Sequence, residues 1–335
     1  MGSASSSSCC SRNAKVATVG TIQSNKPAKK AHFIGLCVKP FQLPIAADGH
    51  ISCADLYNLM NDANKFTQFV HHPLYLLILD LRDAAAYALD HIQTAFHCSS
   101  VASGIINENI LNFKHIVLYG VDTSLGSNER AESAVRLLED AGAGFVMLVG
   151  GYTEFEKRFP FLCNTVTIWS QTERERKVTT YPSLILEDWL YQGTGNQAKR
   201  ERLIRSMGIT HVINISTEFS CDLPGVTYLA IRLQDDASSK LLDHFEEIFE
   251  FLDGVKRTGG KALVHCNLGV SRSSTATLSY IMLSQTCTLL DAYKFLHHRR
   301  PCCAPNRGFF LQLGFFEEYI FGKKFTDANQ LWFAV

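Results

Sequence analysis

The sequence predicts an α/β protein with two successive domains, each built on a mostly parallel sheet. Short, continuously apolar runs such as Tyr75–Asp80 are typical of strands that are buried on both faces. Amphipathic segments such as Glu129–Asp140 lie between these runs, and this alternation is the pattern of a parallel sheet. The 335 residues have the length of about two such domains.

The first half of the chain is expected to hold a domain over residues 32–166, preceded by a disordered, basic, Ser-rich segment over 1–31. A helical pattern covers residues 53–70, and a second helix over 129–140 is stopped by Ala-Gly-Ala-Gly. The predicted strands cover 75–80, 114–119 and 145–149.

The second half begins after a polar, charged stretch at 167–180, which predicts a linker. A second α/β domain is expected over 181–325, followed by a tail over 326–335. Its predicted strands cover 211–215, 228–233 and 262–265. Its predicted helices cover 198–207, 241–255, 272–285, 288–299 and 309–320, with breaks at Pro301 and Pro305.

Composition excludes several classes of function. The net charge is +0, so there is no broad basic surface for nucleic acid. The 11 cysteines are scattered and odd in number, which favours reduced thiols over a disulfide scaffold. The best apolar run, Leu74–Leu79, is far shorter than the roughly 20 residues of a membrane span. We therefore expect a cytoplasmic protein.

The N-terminus leaves alternatives open. It is Ser-rich and has no acidic residue before Asp48, as in a mitochondrial transit peptide. It also begins with Gly2 in a pattern that fits N-myristoylation, and Cys9 or Cys10 could take a second acyl chain. Membrane binding is expected only with such acylation, and the simplest alternative is a disordered tail.

A cysteine and an arginine, Cys266 and Arg272, flank a short loop between a predicted strand and a predicted helix. Backbone N–H groups of such a loop surround one point at a helix N-terminus and bind an anion. This environment also favours a thiolate over a thiol, and the arginine can donate two hydrogen bonds to one phosphate. A buried structural cysteine is a poorer explanation of this pattern. The loop residues are Asn267, Leu268, Gly269, Val270 and Ser271.

Phosphate transfer from an ester also needs a general acid for the leaving oxygen. Asp235 and Asp236 directly follow the strand predicted at 228–233, where parallel sheets place functional groups. Asp235 is the first candidate and Asp236 the next, while a solvated turn is the alternative interpretation.

Residues 181–322 resemble the dual-specificity phosphatases. The matching motifs are His265-Cys266 with Arg272-Ser273, then Ala292-Tyr293, Arg299-Arg300-Pro301 and Pro305-Asn306-Arg307-Gly308-Phe309. The resemblance implies a phosphocysteine on Cys266, with Asp235 as the acid and then the base, and no metal or cofactor. It further implies that His265 supports the thiolate, that Ser273 helps it leave, and that Asn306 braces the loop.

The first half resembles rhodanese-like domains. The matching residues are Asp80-Leu81-Arg82, Tyr87, His91-Ile92, Ala95 and Gly150-Gly151-Tyr152-Thr153-Glu154-Phe155. Active rhodaneses carry a cysteine in the loop that here covers residues 120–127. This chain has no cysteine between Cys98 and Cys163. We therefore expect a catalytically dead domain that binds a protein partner rather than transferring sulfur.

This domain order resembles that of MAP-kinase phosphatases and of pseudophosphatases in the serine/threonine/tyrosine-interacting-like family. Those pseudophosphatases lack the His-Cys pair, whereas this chain keeps it. We therefore expect a protein tyrosine/serine/threonine phosphatase that acts on phosphoproteins, and the alternative is a phosphoprotein-binding adaptor. MAP kinases are doubtful partners, because no Lys or Arg lies between Arg82 and Lys114. Leu268 stands where most relatives have a small residue.

Overall fold

The structure is a computed structural model that describes residues 36–39, 48–63, 68–102, 107–123, 129–168, 170–186, 188–218 and 222–333. The predictions for Gly2, Cys9 and Cys10 lie outside these ranges. No helix within these ranges is both long enough and apolar enough to cross a membrane.

Within the described residues, the first domain forms a five-stranded parallel sheet and a two-stranded antiparallel ribbon. The strands are β1 (His50–Ile51), β2 (Leu76–Asp80), β3 (His91–Ile92), β4 (Phe96–His97), β5 (His115–Tyr119), β6 (Val146–Leu148) and β7 (Cys163–Asn164). The helices are α1 (Cys53–Met60), α2 (Ala84–Leu89), α3 (Ser99–Ala102), α4 (Glu129–Asp140) and α5 (Gly151–Arg158). The sheet order is β1-β6-β5-β2-β4, and β3 pairs with β7. The three predicted strands are confirmed as β2, β5 and β6.

Helix α1 is shorter than the helix predicted over 53–70. Ser52 caps its start by accepting a hydrogen bond from the Asp55 N–H at 3.0 Å. At its other end, the Asn61 side-chain amide donates to the Tyr57 carbonyl at 2.7 Å, a carbonyl that a continuing helix would use. The prediction was therefore wrong at residues 61–63, where a local side-chain bond ends the helix.

The segment predicted as a linker contains an ordered helix, α6 (Gln171–Lys177). Ser170 and Glu173 form a reciprocal capping box at its start. Its Arg174 side chain is only 1% exposed and donates to the Val70 carbonyl at 3.1 Å. The connection between the domains is thus packed against the first of them.

Within the described residues, the second domain forms another five-stranded sheet. Along the chain, helices both precede and follow the central strand of this sheet. The strands are β8 (Ser183–Leu186), β9 (Leu190–Thr194), β10 (His211–Ile215), β11 (Thr227–Ile231) and β12 (Ala262–Cys266). The helices are α7 (Gly195–Ala198), α8 (Glu201–Met207), α9 (Phe245–Arg257), α10 (Arg272–Gln285), α11 (Leu289–Arg299), α12 (Arg307–Phe321) and α13 (Ala328–Phe333). The order is β11-β10-β12-β9-β8, parallel except for the β8–β9 pair.

The prediction of a tail over 326–335 was wrong, because α13 lies within it. Leu331 is buried in the same apolar cluster as Phe309 and Leu313 of α12. Arg307 also donates to the Asn329 side chain at 3.3 Å. Tertiary packing therefore forms this short helix, which has little helical tendency of its own.

The two domains share one apolar cluster, which includes Tyr57 of α1 and Tyr191 of β9. Buried polar bonds lie beside it. The Asn58 side chain donates to the Leu184 carbonyl and accepts from the Leu184 N–H, both at 2.8 Å. The Tyr57 hydroxyl donates to the Pro182 carbonyl at 2.8 Å. The Asn58 side-chain amide therefore makes two hydrogen bonds to the backbone of β8, as a peptide group of a neighbouring strand would.

Candidate active site

Cys266 is the last residue of β12, the middle strand of the second sheet, and α10 begins six residues later at Arg272. In a parallel sheet, the loop after a central strand opens at the carboxyl edge, where ligands bind. The Cys266 side chain is 1% exposed and lies at the base of this loop. The structure therefore brings the predicted cysteine, loop and arginine together.

Two hydrogen-bond donors surround the sulfur. The Gly269 N–H donates to Cys266 Sγ at 3.2 Å, and the Ser273 hydroxyl lies 3.3 Å from the same atom. Gly269 has φ of 70°, and a Cβ there would lie 2.8 Å from the Gly193 carbonyl carbon. Only glycine fits this close approach, and the turn that results aims an N–H at the sulfur. Such donors stabilise negative charge on the sulfur.

His265 supports the loop without a positive charge. Burial lowers the pKa of His265 to about 4, so the ring is neutral at neutral pH. Its Nδ1 lies 3.1 Å from the Cys266 carbonyl oxygen, which can only accept, so Nδ1 carries the proton and donates. The structure thus gives His265 a hydrogen bond to the backbone of Cys266, and its support of a thiolate stays a prediction.

Arg272 is buried and held at the edge of the loop. Its Nη1 donates to the Leu233 carbonyl at 2.9 Å and to Glu218 Oε2 at 3.3 Å, while Nε lies 3.6 Å from Asp235 Oδ2. Burial raises the pKa of Glu218, but the hydrogen bond and the charge of Arg272, together with backbone hydrogen bonds, leave that pKa below its ordinary value. A carboxylate therefore partly neutralises the guanidinium group.

Asp235 and Asp236 have different surroundings. Asp235 Oδ1 accepts from the Ser271 hydroxyl at 2.6 Å, and its side chain is 34% exposed at the cavity. Asp236 instead caps the following turn: hydrogen bonds from Ser238 and Ser239 lower its pKa. Of the two candidates, Asp235 is the one that lines the cavity beside the loop.

Asn306 ties the loop to the acid and to α12. Its N–H donates to the Ser271 hydroxyl at 3.0 Å, and its amide donates to Asp235 Oδ1 at 3.0 Å. Its side-chain oxygen also accepts from the Phe309 N–H and caps α12. Asn306 therefore connects three parts of the site, the loop through its backbone N–H and the acid and α12 through its side chain.

A cavity of about 540 Å³ lies above the loop. Its walls are formed by the loop, by the acid and by residues near the C-terminal helices: Asp235, Asn267, Leu268, Val270, Ser271, Arg272, Ala304, Pro305, Asn306 and Trp332. Within the described part of the chain, no three His, Cys, Asp or Glu side chains converge as a metal site would require.

Three residues of this site were missed by the sequence analysis. Glu218 follows β10 at the same carboxyl edge, a position that could have identified it. Arg300 donates to the Gly269 carbonyl at 2.9 Å from a distant segment. Trp332 reaches the cavity from the region that was predicted to be a tail, and no local signal marked it.

The Asp80–Arg82 ion pair of the first domain has a structural role. Arg82 and Asp80 form a buried ion pair at 2.7 Å, and the Tyr119 hydroxyl donates to Asp80 at 2.6 Å. The Arg82 guanidinium also lies 3.6 Å from the centre of the Tyr152 ring. These contacts satisfy the pair and join β2, β5 and α5.

Both halves of the chain match known protein families. The model of the dual specificity phosphatase catalytic domain matches residues 190–319, and that of the rhodanese-like domain matches residues 53–158. The strand, the cysteine-containing loop and the arginine lie within the first of these matches. The chain is therefore a protein phosphatase that carries a dual specificity phosphatase catalytic domain after a rhodanese-like domain.

Several known proteins are similar to this chain. A probable rhodanese domain-containing dual specificity protein phosphatase of Dictyostelium discoideum is 25% identical over 351 residues, which cover 84% of this chain and 71% of the relative. Dual specificity protein phosphatase 4 of Gallus gallus is 28% identical over 287 residues, which cover 73% of this chain and 76% of the relative. The structure of the human tyrosine phosphatase-like serine/threonine/tyrosine-interacting protein is 31% identical, with a TM-score of 0.39, and the match covers 41% of this chain and 95% of that one.

Proposed function

We propose that Cys266 is the nucleophile of this phosphatase and that it forms a phosphocysteine intermediate. The buried sulfur, with the Gly269 N–H and the Ser273 hydroxyl against it at the start of the loop that lines the cavity, is the observation that supports this most directly. The thiolate attacks phosphorus, the P–O ester bond breaks, and Asp235 gives its proton to the departing oxygen. Arg272 binds two of the remaining phosphate oxygens.

The second step releases phosphate. Water attacks phosphorus, Asp235 takes the proton from that water, and the S–P bond breaks to return the thiolate. The Ser273 hydroxyl, 3.3 Å from Sγ, donates to the sulfur as its negative charge returns. Asn306 keeps Asp235 and Ser271 in register during both steps through its bonds to each.

Turnover of an aryl phosphate by the full chain tests the nucleophile. Cys266→Ser is expected to abolish turnover while the variant still binds orthovanadate or phosphate. Equal rates for the wild type and Cys266→Ser would refute the mechanism. Phosphate binding without turnover in the wild type would instead support a pseudophosphatase-type adaptor that binds phosphoproteins.

A matched pair of variants tests the acid. Asp235→Asn is expected to lower kcat by about 10²–10⁴, the usual contribution of a general acid. Asp236→Asn is the control, because that carboxylate is engaged by Ser238 and Ser239 in the adjacent turn. A large loss in Asp236→Asn with none in Asp235→Asn would reverse the assignment.

The substrates we propose are phosphoproteins carrying phosphotyrosine, phosphoserine or phosphothreonine. The rhodanese-like domain is proposed as a catalytically dead module that binds a protein partner, since residues 120–127 include no cysteine. MAP kinases are not the expected partners, because residues 83–113 include no Lys or Arg. We propose action in the cytoplasm, and labelling with a myristate analogue tests anchoring through Gly2: labelling of the wild type that is lost in Gly2→Ala would place the protein at membranes.

A further inference from the structure

Apolar side chains form one side of the cavity opening. Leu268, in the phosphate-binding loop, is 48% exposed, and Trp332 of α13 lines the same cavity. Phe333 packs against Trp332 with ring centres 4.8 Å apart and is 75% exposed. We call these three residues the apolar rim. Adjacent exposed apolar side chains of this size are typical of a binding surface.

The Trp332 ring has a defined place at this rim. The Arg307 guanidinium lies 5.8 Å from the ring centre, and Arg307 also donates to Asn329, one turn before Trp332 in the same helix. Leu331, next to Trp332, is buried in the domain core. These contacts hold the ring in position before any substrate arrives, which lowers the entropy cost of binding.

The apolar rim is continuous with the cavity that holds the proposed phosphate site. A side chain that contacts Leu268 and Trp332 would therefore share this cavity with the phosphate. An apolar side chain would bury carbon surface against Leu268 and Trp332. A polar side chain would lose water at the carbon surface of these two residues, which gives it no compensating hydrogen bond.

We propose that the apolar rim selects phosphoproteins in which an apolar or aromatic side chain adjoins the phosphorylated residue. This inference rests on the proposed function and adds a specificity determinant to it. The Leu268 and Trp332 side chains contact the neighbouring side chain of the substrate. The backbone of the loop, Arg272 and Asp235 act on the phosphate.

Two phosphotyrosine peptides of equal length and charge test the proposal, one with Leu and one with Ser on both sides of the phosphotyrosine. We expect the wild type to favour the Leu peptide in kcat/KM by about tenfold, the lower end of what one apolar contact gives. Trp332→Ala and Leu268→Ala should each bring this ratio close to one, and Trp332→Phe should restore most of it. Phe315→Ala, which removes an exposed aromatic ring of α12 away from the cavity, should keep the wild-type ratio.

The same peptides are also titrated against Cys266→Ser, so that recognition is measured even without turnover. A Leu preference in binding with no turnover in the wild type would support the apolar rim and refute the proposed catalysis. A ratio near one in the wild type, or a full preference retained in both alanine variants, would overturn the proposal. Faster turnover of a phosphoinositide in vesicles than of either peptide would also overturn it.

Discussion

Adding one methyl group to Gly308 should displace the proposed acid. Gly308 lies near the start of α12 against the backbone of Ala237, two residues after Asp235. A Cβ at position 308 would contact the Ala237 carbonyl oxygen and would lie 2.6 Å from Ala237 Cα. Carbon atoms in contact are ordinarily about 3.5–4.0 Å apart, so this segment must retreat by about 1 Å.

A shift of this size at a catalytic group costs about 10²-fold in rate. The loss in Gly308→Ala should depend on the leaving group, because a poor leaving oxygen needs the acid more than a good one does. We therefore expect a loss of about 10²-fold in kcat/KM on phenyl phosphate and a clearly smaller loss on p-nitrophenyl phosphate. Binding of orthovanadate should persist, because the loop around Cys266 is not displaced.

Gly254→Ala is the matched control, since Gly254 also lies in a helix but a Cβ there would meet no heavy atom within 4 Å. Alanine in a helix interior is more favourable than glycine by about 0.5–1 kcal/mol of folding free energy. This variant should therefore be slightly more stable than the wild type and fully active. If Gly308→Ala lost activity equally on both substrates, or stayed within threefold of Gly254→Ala, the argument that Gly308 positions the acid would be refuted.

Three further predictions concern stability and are checked by urea unfolding. Because burial lowers the pKa of His265 to about 4, the unfolded chain takes up that proton first. The free energy of unfolding should therefore be highest above about pH 6.5 and should fall by about 3 kcal/mol as the pH is lowered towards about 4. In His265→Asn the free energy of unfolding should fall by about 3 kcal/mol less over the same pH range. Asn58→Leu should destabilise the protein by about 2–5 kcal/mol, because it leaves the N–H and C=O of Leu184 without partners. Both the wild type and this variant should unfold in one cooperative transition, since the two domains share one core. Two separate transitions in the wild type would contradict the shared core. Arg174→Met should stabilise the protein by about 2 kcal/mol. Burial lowers the pKa of Arg174 to about 10, so removing this buried charge gains about 3 kcal/mol, while losing its hydrogen bond to Val70 costs about 1 kcal/mol. Any destabilisation would refute this prediction.

Sequence patterns predicted the long, regular elements well. The helices Glu129–Asp140 and Arg272–Gln285 have the predicted bounds, because each combines an apolar face with a clear stop. The ribbon of β3 and β7 was missed, since its two-residue strands are too short to show a period. Helix α6 was missed although Ser170 and Glu173 carry the spacing of a capping box, a signal that the charged composition of the segment obscured.

The site was predictable as far as it is local in sequence. Cys266 and Arg272 lie on one loop, so their spacing alone indicated that they meet. Glu218 follows another strand of the sheet, so the sheet topology rather than the loop sequence indicates its place, and no local pattern indicates the place of Trp332. The same holds for Gly308, whose close approach to the acid loop is a tertiary contact.

Contacts between the two domains connect the rhodanese-like domain to the phosphatase site. Asn58 of α1 holds the backbone of Leu184, and the neighbouring Ser183 hydroxyl accepts from Arg300 at 2.9 Å. Arg300 in turn donates to the Gly269 carbonyl, in the peptide unit that follows the N–H aimed at Cys266 Sγ. A second contact lies beside the first, because Asp55 of α1 accepts from Arg299 at 2.9 Å. Displacing α1 would thus remove the Asp55 partner of Arg299 and the side chain that holds Leu184, next to the Ser183 partner of Arg300. Through these contacts the rhodanese-like domain is connected to the support of the phosphate-binding loop.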